Sequence, residues 1–350
     1  MNPAIKKILI IRLSSIGDII LASPLIRATR KTYPLAQIDF LVKSEYPELV
    51  KFNPDLSSII ELKSNDKEEL KTLKRTLCRT QYDIILDLHN SLRSRYLRWF
   101  SGAKHIKVVN KRIIKRFLLI SFKWNFYRSV LSVVDRYLET GKRFAIQNDG
   151  QGLEVTVPND TIFTVKAMLE KYQLERYDLV VGIAPSARHY TKRWSPERYV
   201  ELGTQVARKF NAKLLIFGSK FEQDYCGDIA QMINANLGST TAESFAGKLN
   251  LLETAAVLDG CSIVVTNDSG IMHLAAARKK KIVAIFGSTV KEFGFFPYGT
   301  QSTVIENENL SCRPCSHIGS DRCPKNHFKC MKDIHVGSVL STIQKMAEER

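Results

Sequence analysis

No run of apolar residues in this 350-residue chain approaches the roughly 20 needed to cross a bilayer as a helix. Residues 1–7 lack the charged-then-apolar layout of a secretory signal, and the first apolar stretch, Ile8 to Ile11, is only as long as a buried strand. A cytoplasmic protein is the expectation. Internal repeats and low-complexity tracts are absent, which leaves ordinary globular domains. No Gly-x-Gly-x-x-Gly fingerprint follows the first strand, and this counts against a nicotinamide oxidoreductase. Cysteine is sparse, seven residues and an odd number, which fits a reducing compartment better than a disulfide framework. One region is short of acids. Between Arg93 and Arg136 twelve Lys and Arg face a single acid, Asp135, so this stretch carries +11 of the chain's net +17. A solvated basic face is the plain reading, but so one-sided a field repels itself. It usually faces something anionic: nucleic acid, acidic lipid headgroups or a phosphorylated substrate.

What is present suffices for two cores. Hydrophobic residues make up 44% of the chain, charged residues 25%, and the length suits two domains better than one. Short Ile-, Val- and Leu-rich runs predict strands at 7–12, 38–42, 58–62, 83–88 and 106–109, with helical patterns between them, for example at 68–79 and 90–100. The basic stretch continues as a helical region, 113–143, with aromatics among its charges. A polar, Gly-containing segment at 147–152 predicts a linker, and hence domains at 1–150 and 151–350. Strands then resume at 179–184, 213–217, 262–266 and 281–286, with helices at 196–210, 222–236, 251–260 and 270–278. A last strand at 302–306 and a final helix at 334–349 close the chain, the helix with the option of packing back on the first domain. Two successive open α/β units follow, with ligands expected at the carboxyl ends of strands and in the cleft between units.

The chemistry-bearing segments sit at such strand ends. The first strand runs into Leu13-Ser14-Ser15-Ile16-Gly17-Asp18, where Gly17 permits close approach and Asp18 is either a catalytic acid or a helix-capping one. The second half opens with a small-residue loop, 182–187, and then Lys192-Arg193-Trp194-Ser195-Pro196. Ser195 and Pro196 read as a helix start, and the two cations as an anion site. Glu222 follows a strand end, where an acid can bind ribose hydroxyls. At 265–277 a buried strand ends in Asn267-Asp268-Ser269-Gly270 and passes into an Ala-rich helix. Its first N–H groups and dipole would hold a diphosphate, and His273 lies one turn in.

Taken in order, the segments ILIIRLSSIGDIILASPLIRA, YDIILDLHNSLRS, IAPSARHYTKRWSPERYVEL, FAGKLNLLETAAVLDGC, VVTNDSGIMHLAAA and IVAIFGST resemble glycosyltransferase family 9, the ADP-heptose:lipopolysaccharide heptosyltransferases. The resemblance runs from Ile8 to about Thr289. It implies the GT-B architecture: two Rossmann-like parallel-sheet domains facing across a cleft, acceptor on the first and nucleotide-sugar on the second. It also implies inverting, metal-independent transfer of heptose from ADP-heptose to a lipid A/Kdo or inner-core acceptor. Asp18 then falls on the family's general base, with Ser14, Ser15, Gly17, Asn90 and Arg93 on the acceptor side. Lys192 falls on the donor-phosphate lysine and shares the catalytic role. Ser186, Arg193, Glu222, Leu249, Asp268, Ser269, Gly270 and His273 complete the donor side. Such a transfer needs no cofactor, and its partners would include the anionic cytoplasmic face of the inner membrane, which the basic stretch would meet. Two departures stand out: Ser186 replaces a glycine common in the family, and 104–128 matches no family signature.

Cys312-Arg-Pro-Cys315, Cys323 and Cys330 lie close in sequence, with His327 between the last two. Four thiols so spaced resemble a structural zinc site, with reduced or reversibly oxidised thiols as the alternative. Two other functions stay open. One is a glycosyltransferase using another nucleotide-sugar. The other is a nucleic-acid-binding protein using 93–136, for which no recognised motif appears, so nucleic acid is not the expected partner.

Overall fold

The structure, a computed structural model, describes residues 5–64 and 66–349. The chain forms two compact units: residues 1–113 with 131–156, and residues 114–130 with 157–350. The basic stretch is thus divided, and its middle belongs to the second unit.

The first unit is built on five parallel strands: β1 (Lys7–Ile11), β2 (Gln37–Lys43), β3 (Ser58–Leu62), β4 (Ile84–Asp87) and β5 (His105–Val108). Their order is β3-β2-β1-β4-β5. β1 is central, and Ile8 pairs with Ile38 on one side and Ile84 on the other. Parallel strands need helical crossovers that cover both faces, so β1 reads as an unbroken apolar run and Ile8 to Ile11 are fully buried. Leu9, Ile11, Leu41, Leu73, Leu77 and Ile85 make one core layer.

The second unit holds six parallel strands: β6 (Leu179–Ala184), β7 (Ala212–Ile216), β8 (Ala242–Ser244), β9 (Ile263–Asn267), β10 (Lys281–Phe286) and β11 (Ser302–Glu306), ordered β11-β10-β9-β6-β7-β8. The last helix, Val336–Glu348, sets Val336, Val339, Ile343 and Met346 into this unit's own core.

In both sheets the order reverses once, between β1 and β4 and between β6 and β9. Crossovers leave in opposite directions there and open a crevice at the carboxyl ends of the strands. The helical region at 113–143 proves to be two helices, Ile113–Phe122 and Val133–Gly141, with non-helical chain between. Among the described residues no helix is long and apolar enough to cross a membrane.

Candidate functional site

At the first switch point Arg12 follows the end of β1, and the chain turns through Ser14 and Ser15 into the short helix Ile16–Ile20. Asp18 accepts hydrogen bonds from the Ser15 hydroxyl (3.0 Å) and, more weakly, the Ser15 N–H (3.4 Å), so it does cap this turn. It does more than that. The Arg12 guanidinium lies 2.7 Å from Asp18 Oδ2, and Tyr137, 119 residues later, reaches Oδ1 at 3.3 Å. Arg12 also donates to the Leu88 carbonyl (2.7 Å) and stacks over the Tyr137 ring at 5.7 Å. Burial works most strongly against the Arg12 charge, but Asp18, Tyr137 and Asp87 together outweigh it, so the guanidinium holds its proton more tightly than usual. Burial likewise raises the Tyr137 phenol, which stays protonated and donates. A carboxylate is therefore fixed in place by one buried cation and three further donor contacts.

β4 supplies the opposite wall. Buried Asp87 pairs with Arg98 at 2.9 Å and accepts from the N–H groups of His89 (2.9 Å) and Asn90 (2.8 Å). Asn90 takes a left-handed backbone, φ 44°, and its amide donates to the Val109 carbonyl, so its side chain is engaged in shaping the loop. Arg93 is exposed on the helix Leu92–Arg98. His89 stands among charges: burial first, then Arg12 and Lys111, push its imidazole down to about 4, so it is neutral near pH 7. Arg12, Tyr137 and His89 escape a reading based on local motifs. A cavity of about 940 Å³ opens at the other end of this sheet, between Lys6, Tyr33, His105 and Phe144, away from these residues.

At the second switch point Asn267, the last residue of β9, ties the crossing together. Its amide donates to the Pro185 carbonyl (2.8 Å), and its oxygen accepts from the Trp194 N–H (3.2 Å). This sets the loop after β6 against the loop after β9. Lys192 then lies 2.6 Å from Asp268 Oδ2, which also accepts from the Thr289 hydroxyl (2.8 Å). The helix Gly270–Ala277 begins here with Ser269 in extended conformation. Its side chain makes no capping bond to the first turn, and no acid occupies that turn. An uncapped helix start beside a lysine is a place where an anion is stabilised. His273 is buried on this helix, 6.5 Å from the Phe295 ring.

Glu222 sits at the end of the loop after β7. One carboxyl oxygen accepts from Ser186, and the other from the Ser219 N–H and hydroxyl, both at 2.8 Å. Burial pushes this carboxyl up, but these hydrogen bonds, with Arg193 nearby, outweigh it and hold it below its usual range. Arg193 itself donates to the Ala187 carbonyl at 2.6 Å. Leu249 is half-buried two residues beyond Gly247, whose N–H bonds the Gly218 carbonyl and brings that loop beside Glu222. Lys192, Arg193, Glu222, Asp268 and the Gly270 helix start thus ring one crevice end.

The cysteine-rich segment braces it from outside. Arg313 pairs with Glu306 and donates to the Thr289 carbonyl (2.6 Å), and the Cys315 N–H bonds the Ser288 carbonyl. Ser320 exchanges bonds with Thr191, whose hydroxyl takes a bond from Ser288. Gly287 allows this closeness, since a Cβ there would meet the Thr191 carbonyl at 2.7 Å. Burial above all, then the neighbouring thiols of Cys315, Cys323 and Cys312, push the Cys330 thiol up to about 12. Cys312 Sγ lies 3.7 Å from His327 Nε2. Among the described residues no three His, Cys, Asp or Glu side chains close on a point that would hold a metal.

The sequence pattern of glycosyltransferase family 9 (heptosyltransferase) matches residues 70–325. The lipooligosaccharide heptosyltransferase 2 of Haemophilus influenzae is 27% identical over 311 residues, covering 85% of this chain and 88% of that protein. The lipopolysaccharide heptosyltransferase 2 of Escherichia coli is 25% identical, covering 82% and 84%. A solved family 9 glycosyltransferase from Veillonella parvula superposes with a TM-score of 0.82 at 20% identity, covering 100% of this chain and 99% of that one. The ADP-heptose LPS heptosyltransferase II of E. coli does so at 0.71 and 21%, covering 98% and 99%. Two Rossmann-like parallel sheets of this kind are the GT-B architecture. This chain belongs to glycosyltransferase family 9 and is a heptosyltransferase enzyme.

Proposed function

We propose that the enzyme transfers heptose from ADP-heptose to the inner core of lipopolysaccharide, by inversion and without a catalytic metal, at the cytoplasmic face of an anionic membrane. The observation that carries this reading is the pairing of Lys192 and Asp268 beside the uncapped start of the helix Gly270–Ala277. As the glycosidic bond breaks, negative charge grows on the departing diphosphate. A lysine and a helix terminus already in place stabilise that charge as a divalent cation would. Glu222, held ionised by its serines, is suited to ribose hydroxyls. The unit of residues 1–113 and 131–156 would bind the acceptor, and the unit of 114–130 and 157–350 the donor.

In the first unit Asp18 acts as general base. The acceptor hydroxyl gives its proton to the Asp18 carboxylate while its oxygen bonds to the heptose anomeric carbon. The bond from that carbon to the diphosphate breaks, and ADP leaves. One displacement inverts the anomeric centre. Ser14, Ser15, Gly17, Asn90 and Arg93 are the acceptor-side residues of this reading, and Arg12 and Tyr137 hold the base in position.

The test is to supply ADP-heptose, ADP-glucose and UDP-sugars with inner-core acceptors ending in Kdo or in heptose, and to follow ADP release and product. Thermal stabilisation by ADP and ADP-heptose reads donor binding directly. Stabilisation by NAD or by RNA instead, with no transfer, would overturn the proposal.

A further inference from the structure

Residues 114–130 carry four cations, Lys115, Arg116, Lys123 and Arg128, and no acid. They also carry several exposed apolar side chains. Phe117, Phe122, Trp124 and Phe126 are 53–57% exposed, and Ile114 is 76% exposed. The four rings form a continuous row. Phe117 meets Phe122 edge-on at 6.0 Å, Phe122 stacks on Trp124 at 5.2 Å, and Trp124 meets Phe126 edge-on at 6.5 Å.

The segment is inside out relative to an ordinary surface helix, because its polar groups make the protein contacts. Arg116 bonds His317 at 2.9 Å, Lys123 donates to the Pro314 carbonyl at 2.7 Å, and Asn125 donates to Glu292 at 2.9 Å. On the helix Ile113–Phe122 only Leu119 is buried. Anchoring the polar side turns the aromatic side toward solvent, where it leaves a large apolar patch uncovered.

We infer that this row is a membrane-docking surface, and that its partner is the headgroup and acyl boundary of an anionic phospholipid bilayer. The inference deepens the membrane location proposed above and names the elements that deliver it. Phenylalanine and tryptophan on the apolar side of an interfacial segment bury at that boundary, and cations beside them meet acidic headgroups. The exposed aliphatics Ile114 and Val130 favour acyl chains over nucleic acid, whose bases stack on rings but gain nothing from branched alkyl groups. Because the segment belongs to the second unit, and the 312–330 segment it rests on braces Thr191, Ser288 and Thr289, the membrane would hold the donor-binding unit.

The experiment is flotation of the full chain with acceptor-free vesicles, either pure phosphatidylcholine or phosphatidylcholine and phosphatidylglycerol in equal parts. The wild type floats with the anionic vesicles and far less with the neutral ones. Phe117→Ser/Phe122→Ser/Trp124→Ser/Phe126→Ser stays in solution, yet keeps its stabilisation by ADP and its transfer to a deacylated, water-soluble acceptor. Lys115→Gln and Arg128→Gln each weaken partition about five-fold at low salt. A gentler probe is the vesicle-induced blue shift of tryptophan emission, which Trp124→Phe should abolish while flotation persists.

The inference is overturned if the wild type does not float, or if the four-residue variant floats as well as it does. It is equally overturned if the blue shift survives in Trp124→Phe, or if binding appears only when lipid acceptor is present. Association into dimers or binding to RNA that the variant loses, without flotation, assigns the row to that partner instead. Loss of transfer with flotation intact would sink the activity proposed above and leave the docking surface standing.

Discussion

At the first switch point a carboxylate is gripped by an arginine, and at the second a carboxylate is gripped by a lysine. The two arrangements are not equivalent. Arg12 is buried, spans from Asp18 to the Leu88 carbonyl and lies over the Tyr137 ring, so its planar fork has one position. Lys192 offers a compact charge on a flexible stem, at a strand end where an uncapped helix begins. Under the proposed mechanism, a fixed cation suits a group that holds the base still. A charge on a flexible stem suits a group that, in the same mechanism, passes from Asp268 to an arriving phosphate. One strand order, used twice, carries an arginine-held acid in one unit and a lysine-held acid in the other.

The sharpest break of this comparison is Asp18→Asn, which keeps shape and capping but removes the proton acceptor. Turnover should fall about a hundred- to ten-thousand-fold, with ADP-heptose affinity nearly unchanged. Near-normal turnover would reduce Asp18 to a helix-capping acid. Lys192→Ala should behave differently, weakening donor affinity and slowing transfer together, about ten- to a hundred-fold, because the charge meets the diphosphate before and during reaction. Lys192→Arg refines the point. If mobility matters, the guanidinium restores the charge without restoring the rate. Thr289→Val removes one hydrogen bond from Asp268 and should cost about three- to ten-fold in donor affinity, measured by titration calorimetry.

The smallest effect is confined to acid. Folded His89 binds its proton only near pH 4, whereas the unfolded chain takes one up near its ordinary 6.5. Between those values the unfolded state holds more protons, so stability falls as pH drops through the window. His89→Gln should leave stability at pH 7.5 little changed and flatten the decline between about pH 6.5 and 4. Denaturant midpoints across that range decide it, and an unchanged slope would show that His89 is not its source.

Both sheets were legible because parallel strands covered on both faces must be apolar along their length, as β1, β6 and β10 are, while the edge strands β3, β5 and β11 show only two or three apolar residues each. β8, only Ala242-Glu243-Ser244, has no such run. The helix Asn159–Glu170 buries just Val165 and so lacks the apolar stripe that would reveal it. Asp18, Lys192 and Asp268 were readable because each sits in a short strand-to-helix turn of its own. Their partners were not. Tyr137 lies 119 residues from Asp18, and Thr289 lies 21 from Asp268, so only the fold brings these pairs together. The 93–136 stretch was legible as charge, but its division between the units depends on contacts with chain that comes much later.

That lateness has a consequence in time. Arg116 and its partner His317 are 201 residues apart. At about 5–20 residues per second of synthesis, the partner follows about 10–40 s behind. For that interval the aromatic row emerges with nothing of its own unit to rest on. If the row docks on lipid as inferred above, a newly made chain meets a bilayer before its second sheet exists.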